Sequence, residues 1–168
     1  MRLMSSQNKI ALYAVLVALA MVFSWIEAQI PYPIPGAKIG LSNLVVLVAL
    51  YHMGAKDALF INLIRILFVA LTFGNMFAFF YSLAGGFLSC LIMIGMKKTG
   101  KFHVVAVSIA GGIAHNIGQI AVAVYVLETR AMIAYLPVLW IAGLTAGIIT
   151  GLLGAVLIRR LPKKMFQK

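Results

Sequence analysis

Six apolar runs, parted by breaks too short to fold on their own, leave this chain almost no water-facing surface. They lie at about 10–26, 39–53, 58–73, 76–96, 104–127 and 135–158. Of the 168 residues, 64% are hydrophobic and 10% are charged. A soluble domain of this length hides only about 70% of the surface its unfolded chain exposes, so that much apolar area could not be kept from water. A bilayer accepts it, provided each backbone polar group is hydrogen-bonded within its own helix. The expected fold is therefore all-α and integral to the membrane: six transmembrane helices forming one membrane domain over residues 1–168. No linker, low-complexity stretch or internal repeat divides it. The second and third runs fall short of the ~20 residues of a full span, which predicts either extension by their polar flanks or a cavity at one surface.

The basic residues orient the bundle. Arg2 and Lys9 precede the first run, Lys56 lies between the second and third, Lys97, Lys98 and Lys101 lie between the fourth and fifth, and Arg159, Arg160, Lys163, Lys164 and Lys168 follow the sixth. All eleven fall on one side, against Lys38 and Arg130 on the other. By the positive-inside rule both termini are cytoplasmic and the protein is a multi-pass cell-membrane protein. The surplus of +11 is thus a topology signal, and no nucleic-acid partner is expected. The first run is too long for an ordinary signal-peptide core and is followed by Pro31, Pro33 and Pro35, so it reads as a retained span. The lone Cys90 has no partner for a disulfide or a thiolate metal site.

The segment from Ile30 to Gly40 breaks the helical pattern. Prolines at alternate positions favour an extended path. It delivers Gly36, Lys38, Gly40, Ser42 and Asn43 to the outer end of the second helix, where free backbone N–H groups beside a lysine form an anion site. The alternative is a tight structural turn in which Lys38 reaches the headgroups, and a Glu27–Lys38 pair is also open.

Arg65 lies near the middle of the third run, where a charge costs at least ~2.5–3.5 kcal/mol unless it faces a cavity or a partner. Asn62, Arg65 and Thr72 fall on one helical face. The fifth run carries Ser108, His115, Asn116 and Gln119 at similar depth. The two polar faces point to one interior site. No carboxylate occurs at that depth, so an anionic or carbonyl-rich ligand would supply the partner Arg65 lacks. Alternatively these groups are interhelical hydrogen bonds alone. Asp57 reads as the N-cap of the third helix. Small residues recur at Gly143, Gly147, Gly151 and Gly154, and at Ala14 and Ala18. Such spacing allows backbone-close packing, within the bundle or against another membrane subunit.

Six helices, cytoplasmic termini, an external loop after the first helix and the Ala14–Ala18 stripe resemble the substrate-binding S-component of energy-coupling factor (ECF) vitamin transporters. The segment Pro35, Gly36, Lys38, Gly40 and Asn43 is similar to a narrower group. So is the run from Arg65 through Gly74 to Tyr81, Gly85 and Gly86. That group is the Gx transporter family, often labelled heptaprenyl diphosphate synthase component I. The resemblance implies an S-component-like bundle that binds a small organic solute: a vitamin, a flavin, or an isoprenoid or quinone-related molecule. It implies an ECF coupling subunit, docked on Ala14 and Ala18, and ATPase subunits as partners. The label's alternative is a non-catalytic accessory subunit of heptaprenyl diphosphate or quinone biosynthesis.

Chemistry argues against an enzyme. Magnesium–diphosphate sites need clustered carboxylates, and the three acidic residues Glu27, Asp57 and Glu128 are far apart in sequence. No nucleophile–base pair, phosphate loop or metal-ligand spacing occurs, so no cofactor and no metal are expected. The expected substrate-binding set is Lys38, Asn43, Asn62, Arg65, His115, Asn116 and Gln119.

Overall fold

The computed structural model describes residues 6–30, 38–128, 130–162 and 166. The proline segment 31–37, and Arg2, Lys163, Lys164 and Lys168 of the charge count, lie outside the described residues. Among the described residues there are six α-helices: α1 (Ser6–Gln29), α2 (Leu41–His52), α3 (Ala55–Phe73), α4 (Met76–Thr99), α5 (Val104–Leu127) and α6 (Leu136–Arg160). A short 3-10 segment, Arg130–Tyr135, leads into α6. Each coincides with one of the apolar runs. Four stretches, Lys9–Gln29, Met76–Thr99, Val104–Val126 and Ile133–Arg160, are long and apolar enough to cross a membrane, and α2 is a shorter apolar helix.

The helix ends follow local chemistry. Asn75 caps α4 by accepting from Ala78 N at 2.7 Å. Gly100 closes α4 in the left-handed region at φ +67°, and Gly40 opens α2 at φ +82°; a side chain at either would be strained. Gly54, not Asp57, is the N-cap of α3. Asp57 lies in the first turn, where the helix dipole favours a carboxylate. It accepts from Tyr13 Oη at 2.5 Å and pairs with Lys9 at 4.0 Å, tying α3 to α1. Lys97 Nζ donates to Leu50 O at 2.5 Å, satisfying a carbonyl at the C-terminal end of α2.

α2 is the innermost helix. It packs against α1, α3, α4 and α6, and every residue from Leu44 to Leu50 is buried. Around it the outer helices pack as neighbours in the order α1, α3, α4, α5, α6. The outer surface is apolar: Val15, Leu71, Tyr125, Ile141 and Leu152 are all more than half exposed. The polar side chains Asn62, Arg65, Ser89, Ser108, Asn116, Gln119 and Thr150 are buried. That inversion suits lipid outside and internal hydrogen bonding inside.

The α6 glycine stripe is internal packing. A Cβ on Gly147 would lie 2.5 Å from Ile109 Cα, and one on Gly112 would lie 2.5 Å from Gly143 O. Ser108 and Thr150 hydroxyls join α5 to α6 at 2.9 Å. Gly118 is likewise closed by α4, its Cβ position lying 2.6 Å from Ala84 O. Gly147→Ala is expected to destabilise the bundle by ~1–3 kcal/mol, because backbone on both sides must part. Gly95→Ala, whose Cβ meets nothing within 4 Å, should leave stability unchanged or slightly raised. Thermal melting of both variants in one detergent tests this; equal melting temperatures would show that α5 and α6 do not rely on backbone approach.

Candidate functional site

A cavity of about 190 Å³ lies over the N-terminus of the short α2. All six helices contribute to its wall, together with Lys38 and Gly40 just before α2. α2 begins at Leu41 and gives Ser42 and Asn43 to the wall, and the other helices supply the rest. The cavity reaches the loop end of the bundle at Lys38 and Gly74, both exposed.

Arg65 is 7% exposed and central to the wall. Its Nη1 donates to Ser42 Oγ at 2.6 Å and, more weakly, to Ser24 Oγ at 3.5 Å. Its Nη2 donates to Asn62 Oδ1 at 2.7 Å. Asn62 in turn donates to Gly86 O at 2.9 Å, so it is fixed from α4. A Cβ on Gly86 would lie 2.7 Å from the Ile66 Cδ1 methyl, which would have to shift to admit it. Asn62 itself is not a wall residue: it holds Arg65 in place. Among the described residues the guanidinium thus has three neutral oxygen partners and no carboxylate within ion-pair distance, and its Nε has no partner.

Glu27 changes the expected electrostatics. It is 3% exposed, in the last turn of α1, and lines the same cavity. One carboxylate oxygen accepts from Gly40 N at 2.5 Å and Leu41 N at 3.1 Å. Two of the N–H groups expected to be free at the start of α2, those of Gly40 and Leu41, are therefore taken by the chain's own carboxylate. The interior also does hold an acid, although not as a contact partner of Arg65 or Lys38. Among the described residues Lys9–Asp57 is the one ion pair, so the Glu27–Lys38 pair is not formed.

α5 supplies the opposite wall with His115, Asn116 and Gln119. Gln119 packs against Gly85 of α4, whose Cβ position lies 2.8 Å from Gln119 Cγ. His115 Nδ1 and Gln119 Oε1 are buried and have no partner among the described residues. Asn116 is committed to structure: its Nδ2 donates to Leu139 O of α6 at 2.5 Å. Asn43 lines the cavity from α2. The polar faces of α3 and α5 therefore do share one interior space, though α4 packs between the two helices.

Of the seven expected residues, Lys38, Asn43, Arg65, His115, Asn116 and Gln119 line the cavity and Asn62 stands behind Arg65. Thr72 does not join them; it is exposed and returns its hydroxyl to Phe68 O at 2.8 Å. Ser24, Glu27 and Ser82 also line the cavity. The signal for the first two was their spacing of three on α1, which puts a hydroxyl and a carboxylate on one face of an otherwise apolar helix. Ala14 and Ala18 are exposed on α1. Among the described residues no group of three or more His, Cys, Asp or Glu could hold a metal ion.

No curated protein and no solved structure matches the chain. A family model described as heptaprenyl diphosphate synthase component I matches residues 16–157, a stretch that includes every wall residue of the cavity. The chain, an all-helical bundle with several membrane-length apolar helices, belongs to the heptaprenyl diphosphate synthase component I family.

Proposed function

We propose that this chain is the solute-binding membrane subunit of an energy-coupling factor transporter. It would take a small organic molecule from the outer side and pass it inward with an ATP-driven partner module. The observation that carries the reading is the hollow interior. A bundle whose only task was to scaffold a soluble enzyme gains nothing from a buried arginine without an acid partner beside a cavity. Burying a charge is costly, and a site that keeps one exposed to a cavity is suited to an anionic or strongly polar ligand. Substrate binding falls to Lys38, Arg65, His115 and Gln119, with Asn43, Asn62 and Asn116 shaping and holding the wall. No step of bond-making chemistry is assigned.

The charge distribution supports an orientation with both termini in the cytoplasm, which places the Lys38 rim outside. The exposed alanine stripe of α1 supports docking. Ala14 and Ala18 offer a flat helix surface to a membrane-embedded coupling subunit. The family description favours a second reading, an accessory subunit beside a prenyl diphosphate synthase.

Affinity purification of the tagged chain separates the two. Recovery of a coupling subunit with ATPases is expected; recovery of a soluble prenyl synthase instead would favour the accessory role. Ala14→Leu and Ala18→Leu should each lower recovery of the coupling subunit by about ten-fold, a cost of ~1–3 kcal/mol from bulk at a close helix contact. Both should melt like the parent, since neither side chain is packed inside. A lowered melting temperature would mean that the stripe is part of the fold and not a docking face.

A further inference from the structure

The charges and volume of the cavity narrow the ligand. Building on the solute-binding reading, we infer that the cavity takes a ring-sized, singly anionic molecule carrying a hydrogen-bond donor, and not a prenyl diphosphate.

Three formal charges belong to the wall: Arg65 and Lys38 are cationic and Glu27 is anionic. His115 adds none when its imidazole is in the neutral form ordinary near pH 7. The wall therefore carries one net positive charge, and one negative charge on a ligand balances it. A diphosphate would overbalance it. Its extra charge would face the Glu27 carboxylate, which is fixed by the two N–H groups of α2 and cannot turn away without uncapping that helix. Those two N–H groups are thereby withdrawn from any phosphate at the start of α2.

Volume gives the same answer. A cavity of about 150 Å³ holds benzene, six carbons, and a heptaprenyl chain has roughly 35. At about 190 Å³ this cavity encloses a substituted ring, and a polyprenyl tail would have to lie outside it. The wall atoms without partners set the remaining chemistry. Arg65 Nε needs an acceptor and Gln119 Oε1 needs a donor. Buried polar atoms left unpaired are costly, so a molecule offering both kinds of group gains where an apolar ring would not.

The test is calorimetric titration of the full chain in nanodiscs at fixed ionic strength. The probes are 4-hydroxybenzoate, its uncharged methyl ester, doubly charged terephthalate and geranyl diphosphate. Saturable binding of 4-hydroxybenzoate is expected, with the ester and terephthalate at least about ten-fold weaker and geranyl diphosphate undetected. Glu27→Gln keeps an acceptor for α2 but raises the net charge, and should move the preference to terephthalate. Lys38→Gln, at the exposed rim, brings the net charge to zero and should erase the advantage of 4-hydroxybenzoate over its ester. A wild-type chain that prefers terephthalate or geranyl diphosphate, ignores probe charge, or binds none of the four overturns the assignment. So do variants, folded by their melting curves, that leave the preference unmoved. Partner recovery is scored separately. Recovered ECF subunits with the wrong probe preference would leave the transporter reading standing and remove only this one.

Discussion

Glu27→Ala is expected to lower the stability of the folded chain by about 2–3 kcal/mol. The carboxylate is the cap of α2, although it comes from another helix. It accepts the N–H groups of Gly40 and Leu41 and lies against the positive end of the helix dipole. Alanine would take the acceptor from both donors at once and leave them to whatever water the cavity admits. α2 touches four other helices, so loosening its first turn is felt throughout the bundle. Glu27→Gln, which retains a side-chain oxygen, should recover more than half of the loss. The measurement is thermal or denaturant unfolding of both variants in the same detergent. Equal destabilisation by alanine and glutamine would show that the charge, not the capping bond, supports α2; no destabilisation by either would show that the contact is incidental.

Much of the fold was legible because the bilayer acts as a strict solvent. An apolar run long enough to cross it has one economical structure, and the runs at 76–96 and 104–127 became α4 and α5 with ends shifted by a few residues at most. Depth was legible too. Arg65 and Gln119, written far apart in the sequence, line one cavity. Rotation about each helix axis was harder to read. A soluble helix separates a wet face from a dry one, but here both the lipid-facing and the packed faces are apolar, so the pattern that marks the inner side is faint. Thr72 was grouped with Arg65 by spacing and in fact faces outward. Ala14 and Ala18 fit packing or docking equally well until their exposure was known. Glu27 was hidden for a different reason. At the end of a helix, next to a break, it resembles an interfacial residue; nothing local records that it turns inward to meet backbone N–H groups thirteen residues on.

Arg65→Gln is expected to weaken 4-hydroxybenzoate binding by about ten-fold to a hundred-fold while leaving the melting temperature unchanged or higher. The two halves of this expectation have separate causes. A charge-assisted hydrogen bond to the ligand is worth about 1.5–3 kcal/mol, which sets the loss of affinity. Stability is governed by what the arginine has in the empty chain. It has no carboxylate in contact, one nitrogen without a partner, and bonds only to Ser42, Asn62 and Ser24. Taking a guanidinium out of water costs several kcal/mol, which neutral oxygens repay only in part, so a neutral side chain of similar length is tolerated or preferred. Asn62→Leu acts differently. It leaves the guanidinium charged, removes its partner at 2.7 Å, and removes the bond at 2.9 Å that ties α3 to Gly86 O of α4. That variant should lose stability by ~1–3 kcal/mol and affinity together. Titration beside a melting curve for each variant distinguishes the roles. If Arg65→Gln melts well below the parent and binds as tightly, the arginine is a clamp joining α1, α2 and α3, and recognition of the anion falls to the Lys38 rim.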